Sequence, residues 1–208
     1  MRQKKNRIIF PCIILVVLSI LAACILYLAN INWGFSRSVG NQEKNLRMKL
    51  VDAAEQWIGS NTVNGRHQEI IDIYNSHTPL AQNYKVKYTD KWCAAFVSVS
   101  AIQSELTDLI PTECGCQRQI GLFVALGRWE ESDEYTPLPG DIIYYSAEGA
   151  DTGDNTGWSD HVGIVSGTWG RYIKVIEGNV AGAVAVRYIL IGDASIRGYG
   201  LPDYASAC

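Results

Sequence analysis

The sequence predicts an α+β domain carried behind one N-terminal membrane helix. Three observations lead there. Residues 8–28 form an uncharged, almost wholly apolar run preceded by basic residues. Ahead of Pro137, apolar residues recur at helical spacing. Behind it they gather into short runs of β-branched and aromatic residues, bounded by Gly, Asp or Asn. Helices first and strands second, with short connections, is the order of an antiparallel α+β domain.

The apolar run from Ile8 to Leu28 is long enough, at about 1.5 Å rise per residue, to span a bilayer core of about 30 Å. Arg2, Lys4, Lys5 and Arg7 precede it, and no acidic residue occurs before Glu43. That asymmetry keeps the N-terminus cytoplasmic and places the rest outside. A second reading stays open: Leu21-Ala22-Ala23-Cys24 resembles a lipobox, with Cys24 lipidated after cleavage. The apolar run continues through Ile25-Leu26-Tyr27-Leu28, which favours the uncleaved anchor. Residues 1–29 are thus expected as stub and anchor, or as a lipoprotein signal, and residues 30–44 as a tether rich in Gly, Ser, Asn and charge.

The domain is expected over residues 45–208. Its first helix runs from about Asn45 to Ile58, carrying Leu46, Leu50, Ala53, Ala54, Trp57 and Ile58, and Gly59 ends it. Residues 60–90 are polar and irregular, with one apolar patch at Ile70, Ile71 and Ile73. A second helix, Trp92 to Leu106, is apolar nearly all round in its first half and should be buried. A third covers about Gln117 to Trp129. Pro137 and Pro139-Gly140 break the chain, and strands follow at Asp141–Tyr145, His161–Ser166, Tyr172–Glu177 and Ala183–Tyr188.

With 48% hydrophobic residues the chain can fill a core. Four of its 18 basic residues fall in the first seven positions, so the remainder is clearly acidic against 21 Asp and Glu. An acidic body excludes nucleic acid as a partner, which needs a basic footprint. The four cysteines beyond the apolar run, Cys93, Cys114, Cys116 and Cys208, are too few and irregular for a disulfide scaffold. Cys114 and Cys116 are too close in sequence to bridge each other without strain, and Cys208 is the partner either would meet.

The chemistry centres on Cys93. A cysteine hydrolase needs a thiolate, an imidazole beside it and a group that orients the imidazole. Cys93 stands where its helix begins, and a helix N-terminus favours a thiolate and offers N–H groups to an oxyanion. His161 opens a strand after a loop rich in Gly and Asp, whereas His67 and His77 read as surface histidines. Glu177-Gly178-Asn179 closes the next strand, and an antiparallel hairpin lays that end beside His161. Glu177 or Asn179 is therefore placed to accept the imidazole N–H. A zinc hydrolase is excluded by the scattered histidines, and a serine hydrolase by the lack of a GxSxG elbow, since Gly163-Ile164-Val165-Ser166-Gly167 has the wrong spacing.

Trp92-Cys93-Ala94-Ala95-Phe96-Val97, Pro139-Gly140-Asp141-Ile142, His161-Val162-Gly163-Ile164-Val165 and Glu177-Gly178-Asn179, in that order, resemble the CHAP family of cysteine, histidine-dependent amidohydrolases and peptidases. The likeness runs from about Leu46 to Tyr204. It implies a papain-like α+β fold of the NlpC type, Cys93 as nucleophile, His161 as base, and Glu177 and Asn179 behind the histidine. It implies peptidoglycan stem peptides as substrate, cut at the sugar–peptide amide or within the peptide or cross-bridge. Some family members hold calcium on closely spaced Asp residues before the nucleophile. Here that stretch, Lys85 to Asp90, has one acid, and no metal or cofactor is expected. Asp151, Asp154 and Asp160 lie in the loop before His161, in an order unlike an EF-hand.

Two other functions remain open on the same residues. An acyltransferase would use the same cysteine and histidine, with an amine in place of water. A non-catalytic wall-binding or scaffolding module would need neither. The membrane tether, with its limited reach, suggests local opening of the wall, as for an envelope-spanning machine.

Overall fold

A computed structural model describes residues 33–147 and 156–207, together with Ile14, Val17, Leu18 and Ile20. The chain divides into two compact units, Met1–Asn32 and Trp33–Cys208. Apart from those four residues, the expected anchor or lipoprotein signal at 1–29 lies outside the described residues, as do Asp151 and Asp154. Among the described residues, no helix is long and apolar enough to cross a membrane.

Among the described residues, four α-helices of the unit Trp33–Cys208 precede most of the sheet: α1 (Asn41–Glu55), α2 (Arg66–Ser76), α3 (Cys93–Gln103) and α4 (Cys116–Ala125). Six strands follow: β1 (Trp129–Glu130), β2 (Ile142–Tyr145), β3 (His161–Trp169), β4 (Tyr172–Val180), β5 (Ala183–Leu190) and β6 (Ile196–Gly200). All pairings are antiparallel, in the order β1-β6-β2-β3-β4-β5. The α+β expectation is met.

Several boundaries differ, each for a physical reason. Helix α1 starts four residues before the expected Asn45, because a polar pair extends it by a turn: Arg47 Nε donates to Glu43 Oε1 at 2.7 Å. Residues 33–40, expected as tether, run against the sheet. Gly34 exchanges backbone hydrogen bonds with Thr168, and the Trp33 ring lies 5.1 Å from Tyr188. Helix α2 was read as irregular chain. His67, Ile70, Ile71 and Tyr74 are its buried face, at helical spacing, but the face opens on a histidine. His67 is accordingly buried between Tyr88 and Trp92 rather than at the surface. Strand β6 was also unforeseen: Gly198 and Gly200 dilute its pattern, yet all five of its residues are buried.

Helix α3 is the hub. Phe96, Val97 and Val99 are fully buried, each worth about 1.5–3 kcal/mol of apolar burial. It packs against α1, α2, β3 and β4. The approach to β4 requires a glycine, since a Cβ on Gly178 would lie 2.5 Å from the Cβ of Phe96. This close contact brings the first turn of α3 beside the end of β4.

The Pro139-Gly140-Asp141 turn is structural. Asp141, fully buried, accepts the Leu138 N–H at 2.8 Å and pairs with Arg47 Nη1 at 2.8 Å. Arg47 also donates to the Pro139 carbonyl and lies over the Tyr204 ring, whose hydroxyl donates to the Gly140 carbonyl. Burial pushes the Asp141 carboxyl up, and the Arg47 guanidinium works against that. Arg47→Ala is expected to cost about 3–5 kcal/mol by leaving a buried charge unpaired. The penalty should shrink at acid pH, where the carboxyl protonates, and grow as pH rises. Urea midpoints at two pH values measure it; a loss below about 1 kcal/mol at neutral pH would show the pair to be dispensable.

Candidate active site

Cys93 is the first residue of α3 and is 4% exposed. No side chain caps this helix, so its leading N–H groups are not taken up by a cap beside Cys93. The Ala94 backbone N–H favours the ionised form of the Cys93 sulfur. His161 opens β3 as expected and is held from behind: Ser159 Oγ donates to the Tyr145 carbonyl, and the Ser159 N–H donates to Gln117 Oε1 at the start of α4. The His161 and Tyr145 rings stack at 5.9 Å.

His161 Nε2 lies 3.1 Å from Glu177 Oε2. The register of β3 on β4, with Gly163 opposite Glu177, produces this contact. Gly163 is needed there, because a Cβ would come within 2.7 Å of Glu177 Cγ. With Nε2 engaged, the other ring nitrogen, Nδ1, is left for the Cys93 thiol, whose influence raises His161. Glu177 is fully buried and takes a second cation, Arg187 Nε at 3.1 Å, on the same oxygen. Arg187 in turn lies 4.8 Å over the Tyr145 ring.

Three of the four residues singled out in the sequence thus come together: Cys93, His161 and Glu177. Asn179 sits in the bulge where β4 slips against β5, with a left-handed φ of 63°. Among the described contacts it makes no hydrogen bond to the imidazole. The bulge gives Asn179 a local backbone reason to be there, since Asn tolerates this conformation better than most residues.

Sequence reasoning missed three neighbours. Tyr145 and Arg187 flank the His161–Glu177 pair, and neither stood out because each belongs to an ordinary strand pattern. The third is Cys116, expected as a disulfide candidate for Cys208. Its Sγ instead lies 3.6 Å from Cys93 Sγ, and both thiols are free, as is Cys114. Cys208 lies outside the described residues.

The electrostatics are those of an ion pair. The Cys93 thiol is held well below its ordinary value, first by the Cys116 hydrogen bond and then by His161 and the Ala94 N–H, against the opposing effect of burial. For His161, burial works downward, but Cys93 and Glu177 outweigh it and push the imidazole up to about 9. Cys116 is raised, chiefly by its contact with Cys93 and then by burial. These influences favour the thiolate of Cys93, the imidazolium of His161 and the protonated form of Cys116.

Among the described residues no cluster of His, Cys, Asp or Glu is arranged to hold a metal. The single acid in the stretch before Cys93, Asp90, is engaged by the Tyr84 hydroxyl at 2.6 Å and the Lys87 N–H at 2.9 Å.

Residues 83–179 match the model of the CHAP domain family. That segment contains Cys93, His161, Glu177 and Asn179. No curated protein matches the chain. Among solved structures, the chain is similar to "The crystal structure of Ly7917 with the hydrolyzing product of MDP", at 13% identity and a TM-score of 0.44. The match covers 75% of this chain and 62% of that one, so the present chain spans less than two thirds of its length.

Proposed function

From the premise that residues 83–179 are a CHAP domain, we propose that this protein is a cysteine amidohydrolase or peptidase that cleaves amide bonds in the peptide part of peptidoglycan. The observation that carries the reading is a free Cys93 at a helix N-terminus beside a His161 that Glu177 holds at 3.1 Å.

The chemistry follows from those positions. The Cys93 sulfur attacks the amide carbon, and the carbonyl oxygen becomes an oxyanion facing the free N–H groups at the start of α3. The His161 imidazolium gives its Nδ1 proton to the leaving nitrogen, the C–N bond breaks, and a thioester to Cys93 remains. His161, now neutral, takes a proton from water as that water attacks the thioester. The acid product leaves and the thiolate is restored. Glu177 keeps the imidazole in one orientation and stabilises its positive charge, while Arg187 holds the same Glu177 oxygen at 3.1 Å.

The test is digestion of purified peptidoglycan by the full-length protein, with mass spectrometry of the fragments. An amidase releases whole stem peptides with a free amino end and leaves bare glycan. An endopeptidase leaves muropeptides with shortened or separated stems. An acyltransferase leaves the acyl group on a new amine. Intact wall after prolonged digestion by folded, reduced protein would refute the proposal.

We also place the domain outside the membrane, held by the apolar run at residues 8–28, on the strength of the four basic residues before it. A reporter active only outside the cytoplasm, fused after Cys208, should be active. Activity of a cytoplasm-only reporter at that site would reverse the orientation.

A further inference from the structure

We propose that Cys93 and Cys116 form a reversible oxidation switch on the nucleophile, closed by a hydroperoxide and reopened by a thiol reductant. This rests on the reading of Cys93 as the attacking group and adds its regulation.

The geometry is specific. The two sulfurs are 3.6 Å apart and neither is bridged. Each cysteine is the first residue of its helix, Cys93 of α3 and Cys116 of α4. A disulfide needs the sulfurs at about 2.05 Å, so closure requires about 1.5 Å of travel shared between two side chains at helix starts. Cys114 is engaged elsewhere: its Sγ faces Glu113 Oε1 at 3.5 Å. Helix α4 therefore delivers one particular thiol to the nucleophile.

The protonation states suit the chemistry. Cys93, whose thiolate is favoured by Cys116 and His161 beside it, is the sulfur that reacts with peroxide. It attacks the O–O bond of a hydroperoxide. That bond breaks, Cys93 becomes a sulfenic acid, and the departing alkoxide takes the proton of the His161 imidazolium to leave as an alcohol. The Cys116 sulfur then attacks the Cys93 sulfur. An S–S bond forms, the sulfenic hydroxyl leaves, and it combines with the Cys116 proton as water. Two thiols have lost two electrons, and the hydroperoxide has been reduced to alcohol and water. A thiol reductant reverses the bond by exchange. While it stands, Cys93 has no thiolate to attack an amide. It is also shielded from further oxidation to the sulfinic acid, which reductants do not restore.

The test uses the full-length protein in detergent, fully reduced and then exposed to hydrogen peroxide in several-fold molar excess. Intact mass should show the loss of two hydrogens, and peptide mapping should join Cys93 to Cys116. Wall hydrolysis should fall at least about tenfold and return to within about twofold of the starting rate with dithiothreitol. In Cys116→Ser and Cys116→Ala, each compared with its own untreated activity, the same exposure should add two oxygens to Cys93 and the loss should persist after reductant. Peroxide treatment of active protein that yields no Cys93–Cys116 peptide, or recovery in the Cys116 variants equal to wild type, overturns the switch. The bond is read by mass and not by lysis. Reduced protein that forms it yet cleaves no wall would therefore strike the proposed function, and the regulatory claim with it.

Discussion

Cys93→Ala and Cys93→Ser should reduce wall hydrolysis on the order of 10⁵-fold or more, to the level of buffer, while the protein stays folded. The alanine removes the attacking atom. The serine keeps its shape, but a hydroxyl is not lowered to an oxyanion by the contacts that ionise the thiol. Cys93 is 4% exposed and small, so its truncation leaves little void in the core. Circular dichroism and the urea midpoint should therefore match wild type. In the native protein, iodoacetamide should modify Cys93 faster than Cys114, because contact with Cys116, His161 and the Ala94 N–H favours the Cys93 thiolate, whereas burial raises Cys114. Retained lysis in either variant, or Cys114 reacting first, would remove Cys93 from the mechanism.

The three residues that make this expectation were visible in the sequence because each announces itself locally. Cys93 follows a polar stretch and begins an apolar helix. His161 begins a strand after a loop. Glu177 ends the next strand beside a glycine. Hairpin register then joins the last two without knowledge of the third dimension, since Gly163 must lie opposite Glu177 for His161 to reach its carboxylate. The glycines had a second meaning that sequence could not give. Gly178 reads as a turn residue but serves as the point where Phe96 touches β4.

What stayed hidden is what depends on packing between distant segments. Helix α2 is hard to read because its buried face opens on His67 and the segment around it is polar. Asp141 looked like part of a motif near the chemistry, but its partner is Arg47 in α1, and its role is to pin the start of β2. Cys116 offered only a spacing, and spacing suggested Cys208. The contact with Cys93 arises because α4 begins beside the first turn of α3, a juxtaposition with no local signal. Arg187 was equally silent. It is one charge on an edge strand until the β4–β5 register brings it to Glu177.

His161→Ala should be nearly as damaging as loss of the nucleophile, on the order of 10⁴-fold in kcat/KM. Two effects combine. The Cys93 thiol loses one of the contacts that ionise it, so less thiolate is present at neutral pH, although Cys116 and the Ala94 N–H still favour it. The leaving amine loses its proton donor, which the helix N-terminus cannot replace. The pH profile separates these effects. In wild type, kcat/KM should rise with pH as the Cys93 thiolate forms, below the ordinary thiol value of about 8.5. It should fall again as the imidazolium is lost near the raised His161 value of about 9. Both limbs belong to the coupled pair rather than to either residue alone. In His161→Ala the alkaline limb should vanish and the acid limb should move up towards that of a free thiol. Glu177→Gln keeps the imidazole but removes the negative charge that favours its protonated form, so it should shift the alkaline limb to lower pH with a smaller loss of rate. An alkaline limb that survives in His161→Ala, or one that Glu177→Gln leaves in place, would mean that the imidazolium is not the acid.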